Sequence, residues 1–252
     1  MLIESAAVIY FSPTGSTKKI ANSIVKGMNL NHVEYIDITK PSERMKERSE
    51  INEDLLIFGF PVYEEYAPSL FIDYIKKIKY KNQAAIAFSV YGNIGFGLSL
   101  KQIYKELTAK HLTVIALGAF IGEHSFATDA APLAIGKPNQ KDLVEAETFG
   151  ITIKEQLLNN HRIIAIDEQV IPGKLPMMAR ILPPNSAKIF TKPPNISSLC
   201  NNCKICIMKC PQGAIDNNLI VDDSKCIRCF ACVKYCTKKA RLIEYKKKDY
   251  CN

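Results

Sequence analysis

No stretch of this 252-residue chain is apolar for long enough to cross a bilayer. The longest runs, such as Leu112 to Gly122, fall short of the ~20 residues a span requires. The first residues lack the basic flank and cleavage pattern of a secretory signal, so a disulfide framework is not expected of the nine cysteines. No G-x4-G-K-S/T sequence occurs, which excludes a Walker phosphate loop. The glycines after the fourth apolar run, Gly92, Gly95 and Gly97, fall in the order G-x2-G-x-G rather than the G-x-G-x-x-G of a dinucleotide site, so NAD is not expected there. These absences point to a soluble, cytoplasmic protein that makes no membrane contact.

What the chain does have is concentrated near its C-terminus. Cys200, Cys203, Cys206 and Cys210 are followed 26 positions on by Cys226, Cys229, Cys232 and Cys236, so C-x2-C-x2-C-x3-C occurs twice, with Pro211 after the first copy. Structural zinc would favour separated C-x2-C pairs, often with histidine, and a third cysteine at the same interval fits it poorly. The spacing resembles the cluster-binding runs of bacterial two-cluster ferredoxins. That resemblance implies two 4Fe-4S clusters, each taking three thiolates from one run and the last cysteine of the other. One would use Cys200, Cys203, Cys206 and Cys236, and the second Cys226, Cys229, Cys232 and Cys210. Cys251, outside both runs, reads as a free thiol near a frayed end.

The formal charge of +8 raises the question of nucleic acid. From Cys200 onward the chain carries eleven Lys and Arg against five Asp and Glu, but eight ligating thiolates would offset most of that excess. No nucleic-acid partner is expected. A residual basic face could steer an acidic redox protein, while Lys246, Lys247 and Lys248 read more simply as a solvated end.

Ala6 to Phe11 is a continuous apolar run, as expected of a strand buried on both faces. It leads into Ser12-Pro13-Thr14-Gly15-Ser16-Thr17, after which Ile20, Ile24 and Met28 mark one face of an amphipathic helix. The first amides of a helix are unpaired and carry the positive end of its dipole, so a phosphate is stabilised there. Ser12, Thr14, Ser16 and Thr17 add hydroxyls, and Gly15 permits close approach. The bland reading is a Ser/Thr-capped helix start. Further strands are expected at Val33 to Ile38, Asp54 to Phe60, Ala84 to Val90 and Leu112 to Ala119, with a last helix at Lys141 to Leu158.

S-P-T-G-S-T after the first strand resembles the phosphate loop of flavodoxins, which bind FMN. On that resemblance Pro61, Val62 and Tyr63, after the third strand, would frame or stack on the isoalloxazine; the alternative is that Tyr63 and Tyr66 only pack the loop onto a helix. Ser89, Tyr91, Gly92, Asn93, Phe96 and Gly97 would hold the pyrimidine side. Ile94 and Leu98 do not supply the charged residues often found in this loop. His124, in Gly122 to Phe126 at the carboxyl edge of the sheet, could donate to flavin or substrate, or simply be bonded locally.

The whole chain resembles the flavodoxin-ferredoxin fusion proteins of anaerobes. The implied fold is α/β, a flavodoxin-like doubly wound five-stranded parallel sheet over residues 1–160, then a proline-rich connector over 161–196 and a small α+β ferredoxin domain over 197–252. The connector has six prolines, and Ile171, Leu175, Met177, Met178 and Ile181 are expected to pack on the domains. The expected function is electron relay between two 4Fe-4S clusters and FMN, coupling one-electron to two-electron chemistry. The alternatives are an FMN-dependent reductase of a small organic substrate and a pure carrier for a protein partner. Expected partners are therefore a redox protein or a small electron acceptor, with a homodimer left open, and no general acid or base is assigned.

Overall fold

The computed structural model describes residues 3–46, 48, 50–128, 132–159, 163–177 and 186–246. Five strands form one parallel sheet: β1 (Ser5–Tyr10), β2 (His32–Asp37), β3 (Leu55–Pro61), β4 (Ala84–Tyr91) and β5 (Thr113–Ile121), in the order β2-β1-β3-β4-β5. This is the flavodoxin-like doubly wound order, in which the chain reverses direction across the sheet between β1 and β3. Central strands β1, β3 and β4 are buried almost throughout, which is why their sequences are continuously apolar. Edge strand β2, HVEYID, is mostly exposed or half-buried and carries charge.

Alternate side chains of each strand serve opposite faces. Val8, Ile57, Ile86 and Phe88 pack with Ile20 and Ile24 of α1 (Ser16–Met28) and with Ala146 and Ile153 of α5 (Gln140–Asn159). On the other face Ile9, Phe58 and Ala87 pack with Phe71 and Ile75 of α3 (Ser69–Lys77) and Ile103 and Leu107 of α4 (Ser99–Thr108). Helices α1 and α5 cross backbone to backbone through glycines: a Cβ on Gly27 would lie 2.0 Å from the Glu147 carbonyl oxygen, and one on Gly150 2.1 Å from that of Ile24. The described residues of the polar stretch after β2 include one short turn of helix, α2 (Pro41–Arg44).

Within the connector, Ile171 is buried and the Ile166 amide donates to the Val114 carbonyl, so this segment lies on the sheet domain, whereas Met177 is exposed. Met178 and Ile181 fall outside the described residues, as do Lys247, Lys248 and Cys251. Farther on, α6 (Ala187–Phe190) leads into β6 (Asn195–Ile196), which pairs antiparallel with β7 (Arg241–Leu242). The Lys192 amide bonds to Glu244 and the Lys246 amide to Phe190. The backbone ladder of the small domain therefore begins inside the stretch read as connector. Between these strands lie two short helices, α7 (Ile205–Met208) and α8 (Ala231–Lys234), one per cysteine run. Among the described residues, no helix is long and apolar enough to cross a membrane.

Candidate functional site

The loops at the carboxyl ends of β1, β3, β4 and β5 surround a cavity of roughly 350 Å³. Thr14, Ser16 and Thr17 line it at the start of α1, Pro61, Val62 and Tyr63 come from the loop after β3, and Tyr91 and Gly92 from that after β4. The remaining expected residues do not line it. Ser12 is buried and its Oγ accepts the Lys18 amide at 3.0 Å, so this hydroxyl caps the helix. Phe96 packs edge-on against Tyr91, with ring centroids 5.5 Å apart. Gly97, at φ 53, passes beside Glu65, while Asn93 is exposed. Ser89 lies wholly inside the sheet core, and its Oγ is without a hydrogen-bond partner. Gly15, at φ 90, precedes α1, where an added Cβ would lie 3.3 Å from the Tyr235 hydroxyl.

The far wall comes from the C-terminal part of the chain. Ser186, Ala187 and Phe190 of the α6 region, together with Ile227 and Arg228 from the second cysteine run, close over the cavity. They are held there by several contacts. Lys234 pairs with Glu123 and donates to the Ala127 carbonyl, and the Tyr245 hydroxyl donates to the Phe126 carbonyl at 3.0 Å. Arg44 Nη2 donates to the Pro211 carbonyl at 2.6 Å, and the Ala187 amide donates to Glu64 Oε1 at 2.8 Å. Phe126 and Phe230 pack edge to face, centroids 5.0 Å apart.

His124 lines the cavity, with its Nδ1 accepting the Phe126 amide at 3.1 Å. Its proton therefore sits on Nε2 in the neutral form. Burial, and secondarily the nearby Lys234 charge, hold its pKa below the ordinary 6.5. Burial raises the Glu65 carboxyl, and its Oε2 is buried without a partner. Burial also raises the Tyr63 hydroxyl well above the usual tyrosine value, with the neighbouring Cys229 adding to the effect.

The cysteines gather in two further cavities. Cys200, Cys203, Cys206 and Cys236 line one, and Cys210, Cys226, Cys229 and Cys232 line the other. Among the described residues no group of three or more His, Cys, Asp or Glu side chains is placed to hold a metal ion. Burial raises the Cys229 thiol strongly and pushes Cys232 up to about 12. At Cys236 burial acts upward too, but the backbone amides of Arg241, Ala240 and Lys238, with the Arg241 charge, bring the net shift below the ordinary value. Backbone amides also reach the sulphurs of Cys210 and Cys236, from Ala214 at 3.2 Å and Ala240 at 3.1 Å.

Sequence reasoning did not find Ser186, Ala187, Phe190, Ile227 or Arg228. The two runs do differ there: the first places Asn201-Asn202 between its first two cysteines, where the second has Ile227-Arg228.

Residues 194–216, which include the first cysteine run, match the family described as 4Fe-4S binding domain. No curated protein matches the chain. Among solved structures, an archaeal flavodoxin is similar at 20% identity and TM-score 0.40, over 62% of this chain and 99% of its own. The rubredoxin oxygen:oxidoreductase of Desulfovibrio gigas is similar at 18% identity and TM-score 0.43, over 62% of this chain and 36% of its own. A Streptococcus pneumoniae flavodoxin follows at 13% identity and TM-score 0.41, over 60% of this chain and 99% of its own. The assignment of a flavodoxin-like fold rests on the strand order itself. The chain joins that α/β domain to a C-terminal 4Fe-4S binding region.

Proposed function

We propose that the chain is an iron-sulfur flavoprotein of the flavodoxin-ferredoxin fusion type, relaying electrons between two 4Fe-4S clusters and FMN within one polypeptide. The observation that carries this reading is Ile227. It lines the cavity at the sheet edge and also the cavity ringed by Cys210, Cys226, Cys229 and Cys232. A single side chain thus forms part of the wall between the two spaces.

The residues present fit both groups. Thr14, Ser16, Thr17 and the first amides of the 13-residue helix α1 would hold a phosphate, and Tyr63, Tyr91 and Gly92 line the same cavity. Each set of four thiols supplies the ligands of one cubane cluster. When bound, the clusters carry one electron each, and FMN exchanges one or two. The protein's part is to hold these groups close, keep water out and set the charge around them. Burial keeps the Cys229 and Cys232 thiols protonated until iron binds, so cluster loading there must expel protons.

The cluster-binding part of the chain adds Ser186, Ala187, Phe190, Ile227 and Arg228 to the cavity lining, and a lining shared between the two parts favours the relay over a reductase working on a small molecule. Cys203, with Asn201, Asn202 and Lys204, is exposed, which favours the first run as the point of exchange with a protein partner. The test is anaerobic reconstitution followed by iron, sulfide and flavin analysis with EPR. Two clusters and one FMN per chain are expected, and fewer than two clusters or no FMN overturns the proposal.

A further inference from the structure

Strand β7 is two residues long, and successive side chains of a strand point to opposite faces. Here the arginine goes in and the leucine out: Arg241 is 3% exposed and Leu242 45%. Burial of apolar area alone would select the reverse, so the inner side must offset the cost of a cation.

The guanidinium is engaged there on two of its nitrogens. Nη1 donates to the Pro194 carbonyl at 2.9 Å, and Nη2 to that of Leu219 at 2.6 Å. Nη2 also donates to Cys206 Sγ at 3.7 Å. Among the described residues no carboxylate pairs with Arg241, and a guanidinium cannot shed its proton. Arg241 lines the cavity of Cys200, Cys203, Cys206 and Cys236, which contains no Asp or Glu. The ligating thiolates are therefore the negative charge available to it in that cavity.

The cavity of Cys210, Cys226, Cys229 and Cys232 differs, since no charged residue lines it. Backbone amides reach sulphurs in both sets, from Asn202 and Ala240 in the first and from Ala214 in the second. Among the described residues Arg241 is the one side chain that donates to a cysteine sulphur. Lys204 and Lys238 line the first cavity too, but both are exposed, and solvent screens them. Burial raises the Cys232 thiol and the Arg241 charge works against it, so that charge is felt at both sets. The side-chain hydrogen bond belongs to the first set alone.

We propose that Arg241 is a positioning and charge-setting residue for the first set: its bond to the Cys206 sulphur, with a buried positive charge behind it, makes that cluster the easier of the two to reduce. This deepens the relay reading and rests on its two clusters. Reduction of either cluster by a one-electron donor protein adds one negative charge to the cluster and its thiolates. A charged N–H donor at the sulphur stabilises that added charge. The first electron that a chain accepts therefore rests on the exposed side, beside Cys203, where a protein partner can give or reclaim it.

The experiment is an anaerobic EPR redox titration of the reconstituted full chain and of Arg241→Gln and Arg241→Lys. A soluble dysprosium chelate, which speeds the relaxation of the exposed first set more than that of the buried second, assigns the two one-electron transitions. In the unaltered chain the first set should titrate at the higher potential. In Arg241→Gln its preference for the reduced form should fall at least tenfold, about 59 mV for a one-electron step, with a smaller fall at the second set. Arg241→Lys, which keeps the charge, should lie between the two. A residue that only braced β7 would change iron content or unfolding and leave the potentials of loaded chains alone. An unmoved first set in loaded Arg241→Gln, or equal shifts at both sets, would overturn the inference. Should Arg241→Gln fail to load, Arg241→Lys decides, a partial fall at the first set supporting the role and none overturning it. Should neither load, the order in the unaltered chain decides, and a first set at the lower potential overturns it. A chain with two clusters and no FMN sinks the relay while this titration still stands; fewer than two clusters sinks both.

Discussion

The two cysteine runs share one spacing and one loop conformation, yet their surroundings are opposite. Cys203 and the residues on either side of it, Asn202 and Lys204, are exposed, whereas Cys229 and Cys232 are 7% and 8% exposed, with Phe230 between them at 1%. The residues preceding α7 and α8, Lys204 and Phe230, both take left-handed φ, 59 and 52. Covalent spacing fixes what each run can bind, and the intervening residues fix which way it faces. In the proposed relay, the outward run exchanges electrons with a partner and the inward run exchanges them with the flavin.

The largest effect expected from breaking this asymmetry comes at the ligands. Cys229→Ser should remove the inward cluster's EPR signal and abolish transfer to the flavin. Cys203→Ser should instead block reduction by a protein donor while leaving transfer between the inward cluster and the flavin measurable. Identical phenotypes for the two variants would erase the distinction between inward and outward.

Next in size is packing. Phe230→Ala should cost about 3–5 kcal/mol, because it empties a buried site packed against Phe126. Lys204→Ala, at the matching outward position, should change stability by no more than about 0.5 kcal/mol. Thermal or denaturant unfolding of the reconstituted protein compares them.

A smaller effect belongs to the cavity wall. A Cβ at Gly92 would lie 2.2 Å from His124 Cδ2, so Gly92→Ala must displace the imidazole. Overpacking of this kind costs about 1–3 kcal/mol, and a matching loss of FMN affinity is expected by fluorescence titration, with iron content unchanged.

The smallest effect is pH-dependent and again falls on the inward side. His124 has a folded pKa depressed below 6.5 by burial and by Lys234. Below 6.5 the unfolded chain binds the proton and the folded one does not, so stability is lost as pH falls from 6.5 through the depressed value, and the contribution is complete above 6.5. His124→Gln should flatten that part of the stability profile measured by chemical denaturation.

The fold was legible because strands buried on both faces must be continuously apolar, and each of the five expected strands lies within two residues of its observed ends. The place of Thr14, Ser16 and Thr17 at the cavity was legible for a similar local reason: they sit at a strand-to-helix turn. Ser89 was carried over by resemblance, and strand alternation sends it into the core instead. Phe190 and Arg228 could not be placed from local pattern, since their position in the cavity depends on how two units dock. That docking is set by contacts such as Arg44 to Pro211 and Lys234 to Glu123, separated by more than a hundred residues of chain.

The central claim is that cluster and flavin exchange electrons across the shared Ile227 wall of a single chain. It is tested most directly by rapid mixing of the oxidised, fully loaded protein with a one-electron donor, following flavin reduction at several protein concentrations. The account predicts a flavin phase that follows cluster reduction at a rate independent of protein concentration. A rate rising in proportion to protein concentration would place the transfer between molecules and contradict it.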